Sequence, residues 1–250
     1  MLALVTSDLR LRYGRGIARG IKWLLDPFAA VGVYLLLVAF VLNRPGQAPG
    51  LSVACAVVPF QLVMMGIINA LGAVHIRQSI IANMAFPRML LPIASTVTES
   101  LAFFASLLLL PAMMVAYGVA PTWAILWLPV LLVATWAFAT GWAYPAALLG
   151  LWFPQLYTFV LSAVRAFFFL ASGLVALNQV HGRAHTLLPL NPLTGLFEAY
   201  RAVFLEGHSP AAWQLLYPLG VAAAAFAVFV PIYRREQVHF AKISEAAAVR

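Results

Sequence analysis

The chain has 250 residues, of which 64% are hydrophobic and 9% charged. Soluble domains carry roughly a quarter charged residues, so a soluble enzyme or nucleic-acid-binding module is excluded, and the net charge of +8 has to be read as a distribution across a membrane. The apolar residues come in long continuous runs rather than in the in-out alternation of barrel strands, which makes helices the spanning elements.

Residues 1–24 place Arg12, Arg15, Arg19 and Lys22 at spacings of three and four, with Tyr13, Ile17, Ile21 and Leu24 on the other side. That pattern predicts an interfacial amphipathic helix whose basic face meets anionic headgroups or a partner protein. A signal peptide is the rival reading, but the basic segment is too long for an n-region. Six candidate spans follow: Leu25–Leu42, Leu51–Leu71, Leu101–Tyr117, Trp123–Leu148, Leu156–Leu177 and Trp213–Ile232. An even number returns both termini to one side. Eleven Lys and Arg fall on that side, against Arg44, Arg183 and Arg201 on the other, which puts the termini in the cytoplasm.

Between the second and third spans, residues 72–98 interrupt the apolar pattern with His75, Arg77, Gln78, Asn83 and Arg88. Ile76, Ile80, Ile81 and Met84 share one helical face, so the first half predicts a short amphipathic helix ended by Pro87, with Phe86-Pro87-Arg88 forming a sharp corner and Pro92 a second break. An ordinary basic loop is the plainer alternative. The outer connections 43–50 and 118–122 are short turns, but residues 178–212 carry an apolar helical stripe, Leu193, Leu196, Phe197, Tyr200, Val203 and Phe204. Asn191 can cap that helix, Pro192 suits its first position, Gly207 can end it, and Glu198 can pair with Arg201 at i,i+3. An amphipathic helix that dips into the outer leaflet or re-enters it is expected there.

The two lysines, Lys22 and Lys242, do not follow glycine, so the chain has no Gly-Lys-Ser/Thr phosphate loop and does not hydrolyse ATP itself. Neither H-E-x-x-H nor G-x-S-x-G occurs. His181, His185 and His208 read as solvated polar residues rather than metal ligands, and Cys55 as core filling. Arg165 lies within the fifth span. Its burial in hydrocarbon costs about 3 to over 10 kcal/mol, so it either faces water or a ligand, or pairs structurally with Glu198 or Glu99. The Phe167-Phe168-Phe169 run beside it favours lipid-facing packing over a ligand platform.

Three stretches carry a resemblance: Asp8 to Tyr13 (DLRLRY) leading to Trp23 and Pro27, Asn83 to Pro92 (NMAFPRMLLP), and Leu190 to Gly195 (LNPLTG) followed by Glu198 and Arg201. In this order the chain resembles the membrane permeases of polysaccharide ABC exporters, the type-2 ABC exporter group that moves O-antigen, teichoic acid and capsule chains. It departs from many of them at Met89, where an acidic residue is common, and at Phe153-Pro154-Gln155, where an Arg-Asp pair is common. The resemblance implies an all-α integral membrane fold of six transmembrane helices in one permease domain, with residues 1–24 an interfacial helix, 72–98 a cytoplasmic coupling loop and 178–212 an outer gate. It implies a transport subunit, not an enzyme, forming a homodimer on two separate ATP-binding subunits in the bacterial inner membrane, with no cofactor of its own and ATP and Mg on the partner. Lipid-linked glycan is the implied substrate, and no nucleic acid. Arg77, Asn83, Phe86, Pro87 and Arg88 are the expected coupling residues, and Asn191, Pro192, Glu198, Tyr200 and Arg201 the expected outer gate. A sugar path lined by Tyr34, Phe168 and Tyr200, with Arg165 facing water or a pyrophosphate, is expected at the dimer interface. The rivals are a same-fold exporter of a drug or small lipid, and a membrane scaffold or lipid-modifying enzyme with no ATPase partner.

Overall fold

The computed structural model describes residues 29, 32, 33, 36, 48–76 and 87–237. The expected N-terminal helix, most of the first span, residues 77–86 of the amphipathic stretch before Pro87 and the tail beyond Gln237 lie outside the described residues. Four helical runs among those described are long and apolar enough to cross a membrane: Pro49–Val74, Leu90–Tyr117, Trp123–Trp152 and Ala212–Glu236. They match the expected second, third, fourth and sixth spans.

Helix α1, Pro49–Ile76, is the centre of the molecule. It has no polar face, and every residue from Leu51 to Phe60 is buried, as expected of a helix that is apolar all round. Helices α2 (Leu90–Ser106) and α3 (Leu109–Tyr117) together form the third span. Pro111 leaves the carbonyl of Leu107 without its usual i+4 donor. That oxygen instead accepts from the Leu110 amide at 3.1 Å, and the run is offset there.

The span starts at Leu90, eleven residues before the Leu101 expected from hydropathy, so the second half of the 72–98 segment is helix. Pro92 does not break it, because in the first turn its missing N–H has no helical acceptor to lose. Ser95 and Thr98 look polar in sequence, yet their hydroxyls bond back to the carbonyls of Leu91 at 3.2 Å and Ala94 at 2.8 Å.

Helix α4, Leu128–Trp152, follows a 3₁₀ turn and packs along α1. Gly150 brings it against α1 so closely that a Cβ there would overlap the carbonyl of Leu71. At Gly141 a Cβ would meet the carbonyl of Ala222 on the last helix at 2.7 Å. Small residues at such crossings let membrane helices approach backbone to backbone.

Helix α5 is Tyr157–Phe169, only 13 residues, or about 20 Å at 1.5 Å per residue, against a hydrocarbon core of about 30 Å. The expected fifth span, Leu156–Leu177, is therefore a helix about two-thirds of that length followed by an irregular return at residues 170–176. A one-turn helix α6, Arg183–Leu187, leads to α7, Pro192–Arg201, and a π-helical turn, Ala202–Glu206, ended by Gly207 at φ 75°. Every residue of α7 from Leu193 to Arg201 is buried. Helix α7 is enclosed by α1, α4 and the last helix α8, Ala212–Glu236, rather than lying on a leaflet.

Candidate functional site

The carboxylate and guanidinium of α7 hold the broken end of α5. Pro192 opens α7 in pre-set helical geometry, and Asn191 caps it: its Oδ1 accepts from the Leu193 amide at 3.0 Å and its Nδ2 donates to the carbonyl of Phe167 at 2.8 Å, tying the two helices together. About two helical turns on, Glu198 and Arg201 pair at 2.7 Å with Arg201 wholly buried. Arg201 Nη1 also donates to Ser172 Oγ at 3.1 Å, Nη2 to the Gly173 carbonyl at 3.2 Å, and Nε to both the carbonyl and hydroxyl of Ser52 on α1. Glu198 Oε1 accepts the Leu177 amide at 3.0 Å.

Non-helical backbone survives at membrane depth only where protein or water satisfies its polar groups, and this ion pair does so for the 170–177 return. A cation beside the carbonyl end of α5 is also favoured by that helix's dipole. Arg201 is therefore not a charge of the outer surface, as the loop count had it. Removing it from the outer tally steepens the bias toward the other side.

Among the expected pathway residues, Tyr34 lies outside the described residues. Phe168 is fully buried, its ring 4.7 Å from Phe60 and 5.7 Å from Phe197. Tyr200 is fully buried too, its hydroxyl 3.1 Å from Thr135 Oγ1. Both aromatics are packed inside the chain's own core. Arg165 behaves differently. It is exposed, and the two acids proposed as its structural partners are engaged elsewhere: Glu198 with Arg201, and Glu99 with Asn69, whose Nδ2 donates to it at 2.5 Å. Thr158, Ser162 and Arg165 are all exposed and stand at i, i+4 and i+7 on α5, so one outward face of this membrane helix is polar.

At the opposite end from the return, the corner Pro87–Met89 rests on the last helix. Arg88 Nη1 donates to the carbonyl of Gln237 at 2.6 Å, where a cation complements the helix terminus. Tyr233 and Tyr144 donate to the carbonyls of Arg88 and Met89 at 3.4 and 3.1 Å, with their rings edge to face at 5.4 Å. The acceptor of Arg88 is thus a carbonyl of the same chain. Arg77, Asn83 and Phe86, and the basic quartet Arg12, Arg15, Arg19 and Lys22, lie outside the described residues.

Sequence reasoning missed Ser52, Ser172, Tyr144 and Tyr233. The signal available was polar side chains inside apolar runs, each of which has to find a partner. Among the described residues no cluster of three His, Cys, Asp or Glu is placed to hold a metal.

Fold and site together define a multi-span helical membrane protein in which a non-helical segment after α5 is held by a buried ion pair. No family model matches the chain. Over 245 residues it is 26% identical to the O-antigen export system permease protein RfbA of Myxococcus xanthus, covering 97% of this chain and 94% of that protein. It is 22% identical to two O-antigen export system permease proteins RfbA of Klebsiella pneumoniae. One alignment covers 83% of this chain and 80% of the relative, and the other 97% and 94%. The similarity thus runs nearly end to end.

Proposed function

We propose that this chain is the membrane subunit of an ATP-driven ABC exporter for a lipid-linked polysaccharide, working as a homodimer with two separate ATP-binding subunits in a bacterial inner membrane. The observation that carries this reading is the nearly end-to-end similarity to O-antigen export permeases. Two structural features fit it. The polar face of α5 would be costly against lipid, and a two-fold dimer that brought two such faces together would enclose a path wet enough for sugar. The corner at Pro87–Met89 is bound to α8, whose other end abuts α7 where Gly195 meets Gln214 and Pro218, so a push from an ATPase at the corner has a continuous helix to act on.

The test is deletion of the gene in its host, with surface polysaccharide and intracellular lipid-linked glycan measured together and the tagged protein isolated with its partners. Loss of surface glycan, build-up of the intracellular form and co-isolation of an ATPase are expected. Unchanged surface glycan would point to a small-molecule exporter, and isolation without an ATPase to a scaffold. For the orientation, cysteines at Gln78 and Ala247 should be shielded from an impermeant thiol reagent in intact cells and one at Gln47 labelled. For the path, Arg165→Leu should lower export without lowering membrane abundance, and unchanged export would remove Arg165 from the path.

A further inference from the structure

A cleft of about 310 Å³ lies between α4, α5 and α8, floored by Val63 and Ile67 of α1 and closed at one end by the start of α7. It runs along α4 from Phe138 to Leu149, about 16 Å at 1.5 Å per residue, which is close to the roughly 15 Å of one leaflet's hydrocarbon. Its rim includes the exposed side chains of Phe167 and Tyr217, so it is reached sideways, from where the lipid would be.

The polar groups in its wall are nearly all spent. Asn191 uses both ends of its amide on Leu193 and Phe167, and the Tyr217 hydroxyl donates to the carbonyl of Leu190 at 2.7 Å. The indole N–H of Trp142 is buried and has no acceptor among the described residues. A trapped water needs two to four polar partners, and one donor cannot hold it. The cleft is therefore dry, and in a bilayer a dry space this long and open to the side is filled by hydrocarbon.

We infer that this cleft is a binding site for one acyl chain of a bilayer phospholipid, which wedges between α4 and α5 and supports the short helix α5 from behind. Among the described residues no charged side chain lines the cleft, so none of them selects a headgroup, and the occupant is drawn from the bulk lipid of the membrane. The chain would take the place of protein contacts that α5 lacks on this side, where small gaps forfeit much of the dispersion energy of close packing.

The test uses the full-length protein in vesicles of phosphatidylethanolamine and phosphatidylglycerol, doped with a phosphatidylcholine that carries a diazirine at mid-chain. After irradiation, adducts are expected to concentrate on the peptides holding Ala146 and Val164. Ala146→Phe, which fills the cleft from α4, should abolish them while adducts at the open face of α3 around Val115 persist. Val164→Phe fills the same space from α5 and decides the matter should the first variant fold poorly. Changing the probe's headgroup to phosphatidylglycerol should leave the yield unchanged. Adducts spread evenly over α3 and the cleft, or undiminished in both filled variants, would overturn the assignment. So would capture seen only with a polyprenyl phosphate probe, which would make the cleft a carrier site. None of these readouts depends on export.

Discussion

Replacing Arg201 by leucine removes the cation but leaves Glu198 in a site where Arg201 is 0% and Glu198 7% exposed. Breaking a buried pair by deleting one partner costs about 3–5 kcal/mol, because the remaining charge is uncompensated. The same change strips the Gly173 carbonyl and the Ser52 and Ser172 groups of their donor. The two hydroxyls can reorient, but the carbonyl cannot, and one stranded buried acceptor costs about 1–3 kcal/mol. These costs overlap, so Arg201→Leu is expected to lose about 4–6 kcal/mol. Glu198→Gln keeps an acceptor for the Leu177 amide yet leaves a buried guanidinium, and about 3–5 kcal/mol should go. The double variant removes both charges and should cost less than the sum of the two, by roughly 2 kcal/mol or more. Stability would be read from thermal unfolding in detergent, and local opening from protease cleavage near residues 174–182. Additive losses across the cycle, or an Arg201→Leu loss within about 0.5 kcal/mol, would refute the pinning of the return by this pair.

On the proposed function, Arg88→Ala should leave the protein inserted but lower export, because the corner loses its bond to the end of α8; Tyr233→Phe should have a smaller effect in the same direction, and a fully active double variant would discard the corner as a handle. Gly150→Ala should destabilise by about 1–3 kcal/mol or more, since the added Cβ overlaps the Leu71 carbonyl across the α1–α4 crossing, and an unchanged melting temperature would contradict that packing. His208 is held above its ordinary pKa, chiefly by its bond to the Ser209 carbonyl and also by its pairing with Glu206 at 2.7 Å. A raised folded pKa gives a contribution fully present below about pH 6.5 and lost as pH rises through the folded value, so protection of the 206–209 turn from protease should fall over that range and no longer do so in His208→Ala. The pair is more than a third exposed on the histidine side, so the effect should be small and should shrink with added salt.

Four spans were legible because their signal is local: a run of apolar residues long enough to cross shows in composition alone. The cap at Asn191, the proline after it and the i,i+3 spacing of Glu198 and Arg201 were legible for the same reason, being relations within one turn. The break in α5 was not. Residues 170–177 are as apolar as a span, and what allows them to leave the helix is a donor and an acceptor on α7, more than twenty residues downstream. The burial of α7 was hidden by its own pattern. A helix with one polar face reads as half in water, whereas the acid and base on that face are turned into the protein and meet Ser52, Ser172 and the return. Hydropathy placed the start of α2 too late for a related reason: Ser95 and Thr98 satisfy themselves on the preceding turn and cost the helix little.

Arg165 and Arg201 show why residue type alone does not assign a role within a membrane. Both stand in segments with few charges, and either one satisfies the rule that an intramembrane charge is a functional candidate. Their surroundings separate them. Arg201 has its Nε, Nη1 and Nη2 committed to five acceptors within the protomer, and any departure leaves Glu198 buried alone, so it is fixed in place. Arg165 lies about 12 Å along α5 from its start, exposed, with Thr158 and Ser162 on its face, and both of its candidate acids are taken. A guanidinium at that depth cannot be left to hydrocarbon. Among the described residues its fork has no acceptor, and the chemistry that would satisfy it is water, a carbonyl, or two oxygens of a phosphate held at once. Among the described residues, then, one arginine is fixed by acceptors of its own chain, and the other stands exposed on a polar helix face with none.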